Sequence, residues 1–149
     1  MRAVIDANIA VYAVLPGTFH DAAWQLLERL VREEVDLKVP HLWLAEVATS
    51  IRKIAVRTGL SSESALLALE TALSLPVEVV SEDAWLCSRA YRWAERLGQM
   101  AVYDAIYVAL AEHLDALFYT ADRALATRCW QVGAHFVQVP EGFAQRGML

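Results

Sequence analysis

Four acidic residues stand where a carboxylate is unusual. Asp6 directly follows the short apolar run Ala3-Val4-Ile5, and Asp122 comes just after another apolar run. Asp104 opens an otherwise apolar helical segment, and Glu46 is flanked by hydrophobic residues on both sides. Because a carboxylate against apolar surface costs free energy unless it is paired or bound to a metal, these residues are the candidates for chemistry.

Carboxylates gathered at one cleft repel each other, which raises their pKa values unless a cation neutralises them. Their oxygen ligands suit a hard ion, Mg²⁺ or Mn²⁺. A zinc site is not indicated, because the four histidines share no helix face and no HxxxH spacing. The chain also lacks the GxxxxGKS/T, GxGxxG and GxSxG motifs, which excludes the common nucleotide-binding and serine-hydrolase sites. What remains is metal-assisted hydrolysis, most naturally of a phosphodiester.

Three of the four acids also have a simpler interpretation. Asp6 and Asp122 both stand at the start of a predicted helix, where an acid commonly caps the N-terminus. Ser50, Lys53 and Arg57 follow Glu46 at i+4, i+7 and i+11, a spacing that also fits an ordinary polar helix face. The sequence leaves these alternatives open.

The elements that must position the acids alternate between short apolar runs and helical segments. Strands are predicted at 3–5, 37–39, 77–80, 116–119 and 135–139. Helices are predicted at 8–15, 20–34, 41–58, 61–74 (capped by Ser61 or Ser62), 81–98 (capped by Ser81), 101–114 and 121–132. This alternation indicates an α/β fold with a parallel sheet covered by helices on its faces. Such sheets bind ligands outside the carboxyl ends of their strands, where Asp6 and Asp122 fall.

Composition limits the class of protein further. The chain has 149 residues, 57% of them hydrophobic, with 13 Lys and Arg against 18 Asp and Glu, for a net charge of −5. This content excludes a disordered or fibrous chain and a generally basic nucleic-acid binder. Without the four candidate acids, 14 acids would face 13 basic residues, so most of the net charge would belong to one cluster.

Compartment is predicted from cysteine use and from apolar runs. Cys87 and Cys129 have no metal-ligand spacing, and we expect two buried thiols in a reducing environment. We find no signal peptide pattern and no apolar run of about 18 residues. The expected location is the cytoplasm.

Three segments together resemble the PIN-domain family. They are Val4-Ile5-Asp6-Ala7-Asn8, the segment from Asp104 to Ala111, and Thr120-Ala121-Asp122-Arg123-Ala124-Leu125, with Glu46 on the third helix between them. The resemblance runs from Arg2 to about Val139, and the length is similar to that of VapC-type toxins of toxin–antitoxin modules. It implies a single PIN-like domain over residues 1–149, with a central, mostly parallel sheet of about five short strands flanked by helices on both faces.

The resemblance also implies an endoribonuclease that uses Mg²⁺ or Mn²⁺. Asp6 and Asp104 would hold the principal metal, while Glu46 and Asp122 would complete its shell or orient the attacking water. The resemblance assigns supporting roles to Asn8, Thr120 and Ser50. Ser50 departs from the family, in which many members carry Asn at this position.

Substrate and partners follow from the same resemblance. Basic residues near the acids are predicted to bind RNA phosphates, namely Arg52, Lys53, Arg57, Arg123 and Arg128, with ordinary solvated charges as the alternative. Relatives are typically homodimers silenced by a small antitoxin whose extended tail enters the acidic cleft. The five tryptophans are expected to pack in the core or a dimer interface rather than stack on bases.

Two other functions remain in competition. One is a non-catalytic PIN-like module that binds RNA or protein. The other is a haloacid-dehalogenase-like phosphatase with Asp6 as nucleophile, but that family has a second acid where this chain has Asn8, and an amide cannot act as general acid.

Overall fold

The computed structural model describes residues 1–143, which form five strands and seven helices. The strands are β1 (Arg2–Ile5), β2 (Asp36–Pro40), β3 (Val77–Val80), β4 (Leu117–Tyr119) and β5 (Val137–Gln138). The helices are α1 (Ala7–Val14), α2 (His20–Arg32), α3 (Leu42–Thr58), α4 (Ser62–Leu73), α5 (Ala84–Leu97), α6 (Tyr103–Leu114) and α7 (Arg123–Gln131). The predicted α/β fold is confirmed. The prediction of one domain over residues 1–149 includes residues 144–149, which lie outside the described part.

The sheet has the order β3-β2-β1-β4-β5, and every pairing in it is parallel. From β1 the chain adds strands first on one side and then, with β4, on the other. In parallel sheets ligands bind at such a reversal, outside the carboxyl ends of the strands. The backbone N–H of Asp6 donates to the carbonyl oxygen of Tyr119 at 2.9 Å, so the ends of β1 and β4 are joined at this position.

The sequence of α6 is almost continuously apolar because this helix lies inside the core. Residues 105–111 are all buried, as are Val4 and Ile5 of β1 and Trp43 and Val47 of α3. Burial of a helix around its whole circumference leaves no room for a polar stripe. Asp104 stands at the one end of this segment that reaches the carboxyl edge of the sheet.

The start of α5 corrects one prediction. Its N-cap is Asp83, whose Oδ1 accepts from the backbone N–H of Leu86 at 2.7 Å, and not Ser81. Glu82 lies outside the first turn and instead accepts from the backbone N–H of Leu42, at the start of α3, at 2.7 Å. The predicted cap of α4 is confirmed at Ser61, whose side chain accepts from the backbone N–H of Ser64.

Helical periodicity predicts that Trp24, Leu27, Leu30 and Val31 of α2 all point inward. Leu27 and Leu30 are buried as predicted, but Trp24 and Val31 are 48% and 50% exposed. Both project from the edge of the buried stripe, where they line a shallow groove of about 360 Å³ with Leu75. Successive residues on a helix are rotated by about 100°, so an apolar residue next to a core position can still face solvent.

Cysteine and tryptophan burial also differ in part from expectation. Cys129 is buried, whereas Cys87 is exposed on α5. Trp43 and Trp93 lie in the core, while the other three tryptophans are partly exposed. Within residues 1–143 no helix has both the length and the apolar content needed to cross a membrane.

Candidate active site

Asp6 occupies a helix N-cap position without acting as a cap. Its side chain makes no capping hydrogen bond; instead its Oδ2 accepts from the Thr120 hydroxyl at 2.7 Å. The residue is only 9% exposed. Burial is the main reason that its pKa is raised to about 7, the Thr120 hydrogen bond opposes the rise, and the charges of Asp104, Glu46 and Asp122 add to it. The other three predicted acids therefore lie within electrostatic reach of Asp6.

Thr120 connects the ends of β1 and β4. It is fully buried, and its hydroxyl accepts from the backbone N–H of Asp122 at 3.0 Å while it donates to Asp6. The Asn8 amide lies 3.4 Å from the same hydroxyl, and its Oδ1 accepts from the backbone N–H of Ala121 at 3.2 Å. The structure thus brings the predicted supporting residues Asn8 and Thr120 to the acids.

Asp122 does act as a helix cap. Its Oδ1 accepts from the backbone N–H of Leu125 at 3.0 Å, which places the carboxylate at the N-terminus of α7. The same charge raises the pKa values of Asp6 and Asp104. The capping interpretation is confirmed for this residue. Capping uses only one carboxylate oxygen, so the role of Asp122 in the site stays a prediction that the cap does not exclude.

Glu46 lies half-buried on α3, on the same side of the helix as Ser50, Lys53 and Arg57. Its Oε1 accepts from the hydroxyl of Tyr107 at 2.5 Å. Burial raises the pKa of Glu46, the Tyr107 hydrogen bond lowers it, and the charges of Asp104 and Glu82 raise it.

Tyr107 is a site residue that the sequence did not reveal. Its ring is buried and stacks on Phe118 with centroids 5.4 Å apart. Burial, the charges of Asp6 and Glu46, and the hydrogen bond to Glu46 raise the pKa of its hydroxyl, while the backbone N–H of Ala7 lowers it. The hydroxyl therefore stays protonated as a donor to Glu46. The available signal was a tyrosine one turn after Asp104, since a buried tyrosine hydroxyl needs a partner.

Asp104 lies half-buried in the first turn of α6, and its Oδ2 accepts from the Gln99 amide at 3.1 Å. Burial and the charge of Asp122 raise its pKa, while the Gln99 hydrogen bond and Arg128 lower it. Gln99 was also missed from sequence. Its Oε1 is buried without a hydrogen-bond partner among residues 1–143, so an unsatisfied acceptor lies beside Asp104.

The four carboxylates share one arrangement. Each has one oxygen held by a donor of the protein, namely Thr120 for Asp6, Tyr107 for Glu46, Gln99 for Asp104 and the Leu125 N–H for Asp122. The second oxygen of each makes no hydrogen bond within the described residues and is available to a ligand. The unbonded carboxylate oxygens fit a hard cation, because Mg²⁺ is usually held through one or two carboxylates together with waters and substrate phosphate.

The arrangement is not a closed metal shell. Among residues 1–143 no three Asp, Glu, His or Cys side chains converge closely enough to hold an ion by themselves. The prediction that Asp6, Glu46, Asp104 and Asp122 are all direct metal ligands therefore stays a prediction.

The predicted basic residues lie at different positions around the acids. Lys53 and Arg57 line a cavity of about 170 Å³ together with Asn8 and Ser50. Ser50 makes no hydrogen bond to the four acids within residues 1–143, so its supporting role stays a prediction.

The remaining three basic residues are less alike. Arg52 is exposed on α3, outside the lining of that cavity. Arg123 is exposed at the start of α7, next to Asp122. Arg128 lies further along α7, close enough to lower the pKa of Asp104.

The fold and this cluster of acids at the carboxyl edge of a parallel sheet define the class of protein. The family model described as the PIN domain matches residues 3–130. The chain belongs to the PIN-domain family.

Three individual proteins are similar to this chain in sequence or in fold. Ribonuclease VapC9 of Mycobacterium tuberculosis is 34% identical over 128 residues, covering 83% of this chain and 87% of the relative. Among solved structures, VapBC2 from Rickettsia felis, bound to a DNA fragment from its promoter, has a TM-score of 0.68 at 18% identity and covers 95% of this chain and 100% of that chain. Mycobacterium tuberculosis VapC20, described as a sarcin–ricin loop cleaving toxin, has a TM-score of 0.63 at 18% identity and covers 84% of this chain and 93% of that chain. At these identities the structural likeness concerns the fold alone.

Proposed function

We propose that this protein is a divalent-metal-dependent endoribonuclease and the toxin of a toxin–antitoxin pair. The observation that carries the proposal is the group of four acids around the buried Asp6, each with one carboxylate oxygen fixed and one free. Membership of the PIN-domain family and the ribonuclease relative VapC9 support the substrate class. A non-catalytic binding module does not account for a cluster in which burial and neighbouring acids raise the pKa values of Asp6, Glu46 and Asp104, because such a cluster costs stability.

The residues divide the work in the following way. Asp6 and Asp104 hold the cation through their free oxygens, and Glu46 and Asp122 complete the site or orient the attacking water. When bound, Mg²⁺ or Mn²⁺ neutralises charge on the phosphodiester and makes water a better nucleophile at neutral pH. Thr120 and Tyr107 keep their carboxylates from rotating, and Lys53 and Arg57 attract substrate phosphates, which position RNA without specifying its sequence.

The partners follow from the proposed role. Solved structures with this fold include VapBC2 from Rickettsia felis and one described as a toxin–antitoxin complex from Klebsiella pneumoniae. We propose a small antitoxin as partner, a homodimer as the assembly and the cytoplasm as the place of action. A reading frame for a small protein next to the gene would support the antitoxin.

The products of cleavage test the reaction. Attack by external water leaves no 2′,3′-cyclic phosphate on the product, whereas attack by the RNA 2′-hydroxyl does. We expect cleavage of single-stranded RNA in Mg²⁺ or Mn²⁺ without cyclic phosphate ends by mass spectrometry, and continued cleavage when the scissile 2′-hydroxyl is replaced by hydrogen. Cyclic ends, or a covalent phosphate trapped on Asp6 as in a phosphatase, would contradict the proposal.

Asp104→Asn tests the metal assignment separately. We expect it to weaken Mn²⁺ binding measured by calorimetry, because asparagine keeps the shape of the side chain but removes the charge. Glu112→Gln, at the opposite end of α6, is the matched control and should bind Mn²⁺ like the wild type. Unchanged affinity in Asp104→Asn would show that Asp104 is not a ligand.

Tyr107→Phe is expected to lower the turnover rate about 10- to 100-fold, the usual effect of removing a partner that orients a metal ligand. The phenylalanine ring keeps the contact with Phe118, but Glu46 loses its only hydrogen-bond donor within residues 1–143. Steady-state kinetics should show the loss mainly in kcat, since Tyr107 is almost fully buried and offers little surface to a substrate. Tyr91→Phe, on α5 and outside the cavity that Lys53 and Arg57 line, is the control, and an equal loss in both variants would argue against the role of Tyr107.

A further inference from the structure

One face of α5 carries a row of arginines that the proposed site does not use. Arg89, Arg92 and Arg96 follow at spacings of three and four residues, which places them on one side of the helix. Arg92 is exposed and makes no hydrogen bond or ion pair within residues 1–143.

Two of these arginines are held in place by tryptophans. The Arg96 guanidinium lies 4.1 Å from the centre of the Trp93 ring, and that of Arg89 lies 5.4 Å from the centre of the Trp85 ring. Arg96 also donates to the carbonyl oxygen of Val132 at 2.9 Å. Stacking on an aromatic face restricts a guanidinium without using up its charge, so Arg89 and Arg96 are restrained before any ligand binds.

The arginines surround a concave site. A cavity of about 190 Å³ is lined by Arg89, Arg92, Arg96, Trp93 and Glu112. Arg89 pairs with Glu112 at 2.8 Å, which leaves Arg92 and Arg96 to supply the net positive charge. Glu95 lies between them in sequence but outside the lining.

The row lies to one side of the carboxylates, because its cavity is lined by Glu112, which stands about 12 Å along α6 from Asp104. Arg96 stands three residues before Gln99, whose amide binds Asp104. Arg128 of α7 lies near Asp104, whose pKa it lowers. Arg128 stands four residues before Val132, whose carbonyl oxygen accepts from Arg96. From Arg96 to Arg89 the helix extends about 10 Å at 1.5 Å per residue, enough to reach beyond a single phosphate.

We propose that the arginine row of α5 binds the phosphate backbone of single-stranded RNA on one flank of the site, beyond the phosphate that is cleaved. This inference rests on the proposed function and assigns it a second binding surface besides Lys53 and Arg57 of α3. Four acids at the centre of the site repel phosphate, so an RNA strand needs positive charge on its flanks. Arginine is suited to this task because its guanidinium makes paired hydrogen bonds to phosphate oxygens.

Binding is tested without cleavage, in chelator, by fluorescence anisotropy of a labelled single-stranded RNA at several salt concentrations. We expect R92E/R96E to bind about tenfold more weakly, as follows from the loss of two among several phosphate contacts. In Arg92→Ala the slope of log affinity against log salt should fall by about 0.7, the value for one phosphate contact on a single strand. Arg92→Ala removes no hydrogen bond or ion pair within residues 1–143, so thermal melting should show an intact fold.

The control reverses the charge at two arginines on another helix. R29E/R32E changes two exposed residues of α2 that pair with Glu33 and Glu28, and it should bind RNA like the wild type. If R92E/R96E and Arg92→Ala also bind like the wild type, with the same salt slope, the inference is wrong. A protein partner on this face would give that same result with RNA and would likewise overturn it.

A small substrate separates this inference from the proposed function. Bis(p-nitrophenyl) phosphate is a phosphodiester too short to reach α5, so R92E/R96E should hydrolyse it in Mn²⁺ at the wild-type rate. If wild type hydrolyses neither this compound nor RNA, the proposed function fails while the anisotropy result still decides the inference. If R92E/R96E loses hydrolysis of the small substrate, the row acts on the site itself and the inference is wrong.

Discussion

Asp6→Asn is expected to abolish RNA hydrolysis and, without divalent cations, to give a protein more stable than the wild type at neutral pH. The asparagine Oδ1 can still accept from Thr120, so the local geometry is kept. The charge that would hold the cation is lost, and we expect activity to fall by more than about 100-fold, beyond the effect of removing an orienting partner. The stability gain has a separate cause, because an ionised carboxylate at this buried position is unfavourable in the absence of a cation.

The stability of the metal-free wild type should depend on pH, because Asp6 has different pKa values in the folded and unfolded states. The pKa of Asp6 is raised from 3.8 to about 7 in the folded protein, chiefly by burial, so the folded state holds a proton that the unfolded state has lost between these values. The free energy of unfolding of the metal-free wild type should therefore fall as pH rises through this window, by at most about 1.4 kcal/mol per pH unit from this group. The raised pKa values of Glu46 and Asp104 act in the same direction.

Denaturant unfolding at a series of pH values, in chelator, measures this dependence. We expect the Asp6→Asn variant to lose much of the decline and to exceed the wild type in stability at pH 7 and above by a few kcal/mol. Adding Mg²⁺ should stabilise the wild type and leave the variant nearly unchanged. If the free energy of unfolding changed with pH in parallel for the two proteins, ionisation of Asp6 would not destabilise the folded state and this prediction would be wrong.

Thr120→Val has the second largest expected effect. Valine has nearly the shape of threonine, but it removes the donor to Asp6 and the acceptor for the Asp122 backbone N–H. Because Thr120 is fully buried, water cannot replace these bonds, and we expect a loss of about 1–3 kcal/mol in the free energy of unfolding. Activity should fall about 10- to 100-fold, since the oxygen of Asp6 that the hydroxyl fixes becomes free to rotate.

Thr120→Ser is the matched control because it retains the hydroxyl and removes only a methyl group. It should keep most of the activity and lose stability mainly through the missing methyl. The two variants are compared by denaturant unfolding and by the rate of RNA cleavage. If Thr120→Ser loses as much activity as Thr120→Val, packing rather than the hydrogen bond to Asp6 is what the site requires.

The positions of Asp6 and Asp122 could be predicted because strand topology alone determines them. Both follow short apolar runs, and adjacent parallel strands bring their carboxyl ends to one edge of the sheet. Neighbouring residues could not decide the orientation of Glu46, because the polar residues that follow it on α3 fit a solvent-facing stripe equally well. Its burial depends on α6, which packs nearby only in the folded chain.

Tyr107 and Gln99 could not be assigned for a related reason. The hydrogen bond from Tyr107 to Glu46 joins residues 61 positions apart, and helical periodicity states only that Tyr107 lies on an apolar face. Gln99 lies in the connection between α5 and α6, where no periodic pattern constrains a side chain. The predicted cap of α5 was wrong because two residues that can cap a helix lie close together there. Asp83 rather than Ser81 reaches the free N–H groups of the first turn.

The most direct test of the central claim is metal-dependent RNA cleavage by wild type and Asp6→Asn, purified identically and stripped of metal with chelator. Mg²⁺ or Mn²⁺ is then titrated back, and cleavage of a labelled single-stranded RNA is followed by gel electrophoresis. Our account predicts that wild type is inactive in chelator and regains cleavage with either ion, while Asp6→Asn stays inactive at every concentration. Equal cleavage by both proteins, or cleavage by wild type that persists in chelator, would contradict a catalytic metal site at these carboxylates.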